Sequence, residues 1–236
     1  MNRGCQSIYK CDEKVFSGEW DPREIAKVVD SAHYEWEGKK VLDIGANTGG
    51  FSLEIARKGA RVIAAEPDPY SNNMSLTKDL LLEIADEEDL DIKVVNNDFL
   101  SSHEIVNQIE GGVDVIFCFG LLYHFRYYMY LLDYLSSLNP EVLFVSTQTH
   151  DSKELALFNR VNPGIMREDF FDEKTVLTGW HPTRPLFEKM LEWSGFSNIQ
   201  SLTEKEYNFP HKQKGCTNSA YYKTDLISRK HPAFEL

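Results

Sequence analysis

Three kinds of residue in this chain have the type and spacing to do chemistry. The first set is Asp43, Gly45, Ala46, Asn47 and Gly49, in the stretch LDIGANTGGF over 42–51, followed by Glu66 at the end of RVIAAE. In a dinucleotide-binding fingerprint GxGxxG, the middle glycine lets the backbone approach a pyrophosphate. Here that position is Asn47, whose side chain obstructs such an approach, while Gly45 and Gly49 still permit a tight turn. Glu66, about twenty residues after Gly45, stands where a carboxylate hydrogen-bonds a ribose diol. A ribose grip without a pyrophosphate grip points to a nucleoside cofactor bearing no phosphates, of which S-adenosyl-L-methionine is the common one. Asp43 has two readings: a contact to the cofactor, or a carboxylate that holds the turn by accepting backbone N–H groups.

The second set is Tyr123 and His124 in FGLLYHF over 119–125, after the apolar run VDVIFCFG. Open α/β sheets present their ligands at the carboxyl ends of their strands. His124 there could serve as a general base near neutral pH, or could hydrogen-bond its loop and cap the next helix. The third set is looser. His150 ends the run EVLFVSTQTH, Trp180 and His181 precede TRPLFEKMLEWSGF, and Arg160 and Arg167 lie between. Each is a candidate substrate contact with a structural alternative. Tyr123, Tyr127, Tyr130 and Tyr134 fall at near-helical spacing. They read as a packed face, with a cation–π cage for a sulfonium as the other reading. No pairing of carboxylates and histidines has metal-ligand spacing, and Cys5, Cys11, Cys118 and Cys216 show no CxxC.

These residues need a scaffold, and the hydrophobic pattern supplies one. VLDI (41–44), RVIAAE (61–66), IKVVNND (92–98), VDVIFCFG (113–120) and EVLFVSTQTH (141–150) are short apolar runs. Between them lie helical stretches at 49–59, about 70–88, SSHEIVNQIE and 127–138. Continuous rather than alternating apolar runs mean strands covered on both faces, as in parallel sheets. The expected fold is α/β, a three-layer sandwich with right-handed crossovers. TRPLFEKMLEWSGF starts with a capping Thr and stops at a Gly, so it reads as a helix. SNIQSLTEK and SAYYKTDLIS read as two final strands. Residues 1–37 are expected to form an N-terminal helical lid segment, with its helix near 21–36 and Tyr9, Phe16 and Trp20 available to close over the cofactor. Residues 38–236 form the main domain, with an insertion at 151–182.

Bulk properties narrow the partners. With 25 Lys plus Arg against 37 Asp plus Glu, the net charge is −12, which disfavours nucleic acid. No run reaches the length of a membrane span, and the cysteine usage fits a reducing cytoplasm. A homodimer is compatible with these numbers and is not required by them.

Taken together, residues 38 to 228 resemble the class I S-adenosylmethionine-dependent methyltransferases. VLDIGANTGG matches that family's first motif, AAEPDP its acidic second and NNDFL its adenine-binding third. The resemblance implies a mostly parallel seven-stranded sheet whose last strand is antiparallel, a Rossmann-like fold. It implies that the turn Gly45 to Asn47 meets the methionine part, and that Glu66 takes the ribose hydroxyls. It also implies that Pro67 borders the adenine, that Asp98 and the Phe99 backbone bind it, and that Phe119 and Gly120 lie near the methionine amino group. The activity implied is methyl transfer to an oxygen or nitrogen of a small-molecule acceptor. The stretch from Asp43 to Pro69 looks like that of sugar and polyketide O-methyltransferases. GLLYH with PTRPLFEKMLEWSGF is similar to bacterial enzymes that alkylate the wobble uridine of transfer RNA, which leaves RNA modification as an alternative. A non-catalytic nucleoside-binding protein is a third. The Asp/Asn-Pro-Pro-aromatic signature of amino-methyltransferases acting on DNA is absent.

Overall fold

The computed structural model describes residues 2–66, 73–96, 109, 111–125, 127–150, 152–160, 179–202 and 219–226. The chain divides into two compact units, Met1–Phe117 and Cys118–Leu236.

The first unit opens with four short strands: β1 (Asn2–Gln6), β2 (Ile8–Lys10), β3 (Glu13–Phe16) and β4 (Gly18–Trp20). β1 pairs parallel with β4, and β2 pairs antiparallel with β3. The expected helical segment 1–37 thus carries its helix in the second half only, with short strands through most of the first twenty residues. The β2–β3 turn is Cys11–Asp12, both left-handed at φ 48° and 66°. That is the backbone of a two-residue hairpin loop, made here without the glycine that usually announces one. The expected helix follows as α1 (Pro22–Asp30). Asp21 caps it by accepting from Arg23 N–H, and Pro22 supplies the preset φ of a first turn.

β5 (Lys40–Ile44), α2 (Gly50–Ala56), β6 (Arg61–Glu66), α3 (Asn73–Glu87) and β7 (Ile92–Asn96) complete two strand-helix-strand crossovers. β5 pairs parallel with β6, and β6 with β7. Val41, Leu42 and Ile44 are fully buried, as continuous apolar runs require. One core cluster joins Ala46, Leu53, Ala64, Met74, Leu81 and Ile84 to Ile8 of β2, so the N-terminal strands are packed into the unit. β8 (Val115–Cys118) begins in this unit, where Phe117 packs edge-on against Phe51. The helix expected over SSHEIVNQIE lies outside the described residues, apart from Ile109.

The described residues of the second unit form a 3-10 turn, Leu122–His124, then α4 (Tyr128–Ser137), β9 (Val142–Gln148), β10 (Leu157–Arg160), β11 (Gly179–Pro182), α5 (Arg184–Trp193), β12 (Phe196–Ser201) and β13 (Ser219–Leu226). β10 and β11 form an antiparallel ribbon within the expected insertion. Thr183 caps α5, its Oγ1 accepting from Leu186 N–H. β13 runs antiparallel to both β9 and β12. The seven-stranded sheet has the order β12-β13-β9-β8-β5-β6-β7, mostly parallel with β13 reversed. Among the described residues, no helix is long and apolar enough to cross a membrane.

Candidate cofactor and active site

The cofactor turn is shaped by three left-handed residues within five positions: Gly45 (φ 78°), Asn47 (φ 61°) and Gly49 (φ 81°). Gly45 and Ala46 both donate their N–H to Ala65 O, at 2.8 and 3.1 Å, which curls the chain over the end of β6. Gly49 has two reasons to be glycine. Its φ is costly for any side chain, and a Cβ there would collide with buried Leu81.

The curl brings Asn47 N–H to Glu66 Oε2 at 2.7 Å. Glu66 is 5% exposed, so its carboxyl is held inside the turn rather than left as an open strand end. Asp43 lies one layer deeper and accepts from Ser52 Oγ at 2.6 Å, tying β5 to α2. Burial pushes the Asp43 carboxyl up to about 7; the Ser52 hydrogen bond opposes that rise and the nearby Glu66 carboxyl adds to it. The Glu66 carboxyl beside the turn can accept hydrogen bonds from hydroxyl groups. The residues present therefore fit a nucleoside with a free diol.

The Asn47 side chain is not directed at a ligand. Its Oδ1 accepts from Gln6 N–H at 2.9 Å and from Thr48 N–H at 3.0 Å, and its Nδ2 donates to Gly4 O at 2.8 Å. Gln6 Oε1 in turn accepts from Phe51 N–H at 2.9 Å, in the first turn of α2. These N-terminal contacts were missing from the sequence reading. The one available signal was an Asn in a glycine-rich turn, a residue that tolerates left-handed backbone.

In the second unit, Gly120 (φ 65°) donates its N–H to Ser146 Oγ at 3.1 Å. A Cβ on Gly120 would sit 3.6 Å from Tyr123 Oη, so the phenol folds back over this loop. Phe119 packs edge-on against Tyr221 with ring centroids 5.2 Å apart. Tyr128 Oη and Thr147 Oγ1 share a buried hydrogen bond, and burial holds the Tyr128 phenol well above its ordinary range. Consecutive hydroxyls of β9, Ser146 and Thr147, thus anchor both ends of the 120–128 loop. His150 Nδ1 accepts from Ser152 N–H at 3.3 Å, and its backbone bridges to Thr183. His181 is buried on β11, paired in register with Phe158.

The tyrosine series is corrected here. Tyr127 and Tyr130 are 71% and 58% exposed, and the packed face of α4 is instead Tyr128, Leu131, Leu132 and Leu135. An apolar face a quarter-turn away from the tyrosines outcompetes them for the core. Tyr127 and Tyr130, with Tyr128, Met129, Leu157 and Met190, line an open cleft of about 530 Å³.

Of the other expected residues, Pro67, Asp98, Phe99 and Arg167 lie outside the described residues. For His124, Arg160 and Trp180 the described part is the backbone: the end of the 3-10 turn, the end of β10 and the second residue of β11. The structure brings Asp43, the turn 45–49 and Glu66 together in one unit. In the other it brings Gly120 and Tyr123 together.

A family model described as a methyltransferase domain matches residues 18–201. No curated protein sequence matches the chain. Among solved structures, the N-terminal domain of EvdMO1 with SAH bound is similar at a TM-score of 0.65 and 16% identity, covering 93% of this chain and 90% of that one. Magnesium protoporphyrin IX methyltransferase (ChlM) from Synechocystis PCC 6803, also with SAH, gives 0.55 and 17%, with 88% and 83% covered. Coclaurine N-methyltransferase bound to N-methylheliamine and SAH gives 0.55 and 21%, with 84% and 55% covered. These likenesses show the fold. With the family match spanning most of its length, the chain belongs to the S-adenosylmethionine-dependent methyltransferases.

Proposed function

We propose that this enzyme transfers the methyl group of S-adenosylmethionine to an oxygen or nitrogen of a small-molecule acceptor. The observation that carries the cofactor half of this reading is the buried Glu66 carboxyl, fixed by Asn47 N–H at the mouth of a left-handed turn. A carboxylate so held accepts from both hydroxyls of a ribose. When bound, the cofactor supplies a sulfonium that already carries the activation for in-line displacement. The chain's own residues then have to align the acceptor, exclude water and take up one proton.

Tyr123 and His124, on the short turn after β8, are the groups we assign to that proton and to acceptor alignment. His150, Arg160, Arg167, Trp180 and His181, from the end of β9 through the insertion, are the groups we assign to holding the acceptor. A net charge of −12 supports a small acceptor over RNA. Structural relatives named for small-molecule substrates, such as coclaurine N-methyltransferase, are in keeping with it.

Two measurements test the reading. Calorimetry with SAH should give one site per chain, and a panel of hydroxylated and amino acceptors with methyl-labelled cofactor should give a labelled product. Label entering bulk transfer RNA instead, with binding that falls steeply as salt rises, would favour the RNA alternative. Absence of SAH binding would remove the proposal altogether.

A further inference from the structure

The N-terminal strands are built into the cofactor turn from several sides. One amide, Asn47, pairs with both backbone directions of the segment Gly4–Gln6, as a neighbouring strand would. Thr48 Oγ1 adds a bond to Gln6 O at 2.9 Å, and Asn73 of α3 donates Nδ2 to Gly4 O at 3.3 Å. Gln6 Oε1 satisfies Phe51 N–H, one of the amides a helix start leaves without an internal partner. Two glycines make room for this. A Cβ on Gly50 would strike Ser7 O, and one on Gly18 would strike the Gln6 backbone.

The same residue that grips this strap by its side chain grips Glu66 by its backbone. Asn47 sits at φ 61°, a left-handed conformation that Asn adopts more readily than most residues with a side chain. In that conformation its side chain is bonded to Gly4 and Gln6 and its N–H is aimed at Glu66.

We infer that Gln6 and Asn47 are positioning residues for S-adenosylmethionine: docking of residues 4–7 sets the turn 45–49, so strap docking and cofactor affinity are coupled. The inference rests on the cofactor occupying this turn. Coupling is reciprocal, so if strap release weakens the cofactor by some factor, bound cofactor suppresses release by the same factor.

Cys5 reports on the strap. It is buried, with Sγ 3.4 Å from Asn73 Oδ1, while Cys11 is exposed and Cys118 is buried on β8. The test uses the full chain and a slow thiol alkylator, with labelling read peptide by peptide. Cys11 is the reference for reagent, and Cys118 for whole-molecule opening. Saturating SAH should slow Cys5 labelling about tenfold relative to Cys118. Gln6→Ala and Asn47→Gly, the latter keeping the permissive backbone, should speed Cys5 labelling, and should raise the SAH Kd where the released form becomes the main one. Gln6→Glu keeps the acceptor for Phe51 N–H and should restore affinity to within about twofold.

A folded Gln6→Ala or Asn47→Gly chain whose Cys5 labels as fast as exposed Cys11, with unchanged SAH affinity, would overturn the coupling. So would wild-type protein that binds SAH by calorimetry yet labels Cys5 at the same rate relative to Cys118. The latter comparison needs no variant and decides the matter if the variants do not fold. Wild-type protein that binds no SAH at all would instead overturn the cofactor reading beneath it.

Discussion

Asn47 donates its backbone N–H to Glu66 Oε2 at 2.7 Å, linking the glycine turn to the carboxylate one strand away. The bond joins the two residues: the turn orients the acid and the acid closes the turn. Replacing Glu66 by Ala removes that acceptor and, on the proposed cofactor reading, a charge-assisted pairing with ribose hydroxyls. Hydrogen bonds to charged groups contribute about 1.5–3 kcal/mol, so SAH affinity should fall by about ten- to a hundredfold in calorimetry. Glu66→Gln, which keeps an oxygen for Asn47 N–H, should lose less. Equal affinities for wild type and Glu66→Ala would sink the ribose assignment.

Asp43 gives the unliganded chain a distinctive pH response. Its carboxyl titrates near 7 when folded against an ordinary value of 3.8, because burial disfavours the charge. The folded state therefore holds the proton more tightly than the unfolded chain does. The contribution of this group to stability is full below about pH 4, declines as pH rises to about 7 and is flat above. At 1.36 kcal/mol per pKa unit, the decline is on the order of 4 kcal/mol. Asp43→Asn still accepts from Ser52 Oγ but cannot ionise. Urea unfolding from pH 4 to 8 should show the variant gaining on wild type across that window; parallel curves would contradict the assignment.

Gly49→Ala tests the turn itself. The new methyl must adopt φ 81° and meet Leu81 in the core. Left-handed backbone in a residue other than glycine costs about 1–3 kcal/mol, and the collision adds to it. Chemical denaturation should show a loss of at least that size, with SAH binding weakened as well.

Tyr128 and Thr147 form a buried hydroxyl pair. Tyr128→Phe strands the Thr147 hydroxyl, a loss of about 1–3 kcal/mol, whereas Tyr128→Phe with Thr147→Val removes both partners. The double variant should be no less stable than the single one. A thermal-melt cycle in which the two losses simply add would show that the pair is not coupled.

Much of the scaffold can be read from local pattern. Apolar runs such as VLDI and EVLFVSTQTH mark strands because burial on both faces leaves no polar alternation, and Thr183 and Gly195 bracket α5 by their own capping chemistry. Glu66 is legible because its distance from the glycine turn is set by one strand-helix-strand repeat. The N-terminal strands are not. They are three to five residues long, and their hairpin turns at Cys11–Asp12 without glycine, which only long-range packing of Ile8 justifies. Nor could spacing show that the Asn47 side chain would be taken up by Gly4 and Gln6, forty-odd positions earlier in the chain. The Tyr127 and Tyr130 side misled for a related reason: helical spacing identifies a stripe, and which stripe is covered depends on the neighbours.

The glycine at position 50, where only a hydrogen clears the Ser7 carbonyl, also bears on how the polypeptide is assembled during translation. Residues 4–7 leave the ribosome some forty amino acids before the turn that receives them, and β4 is the partner that follows them sooner. Their seating on that turn is non-local, joining segments some forty positions apart.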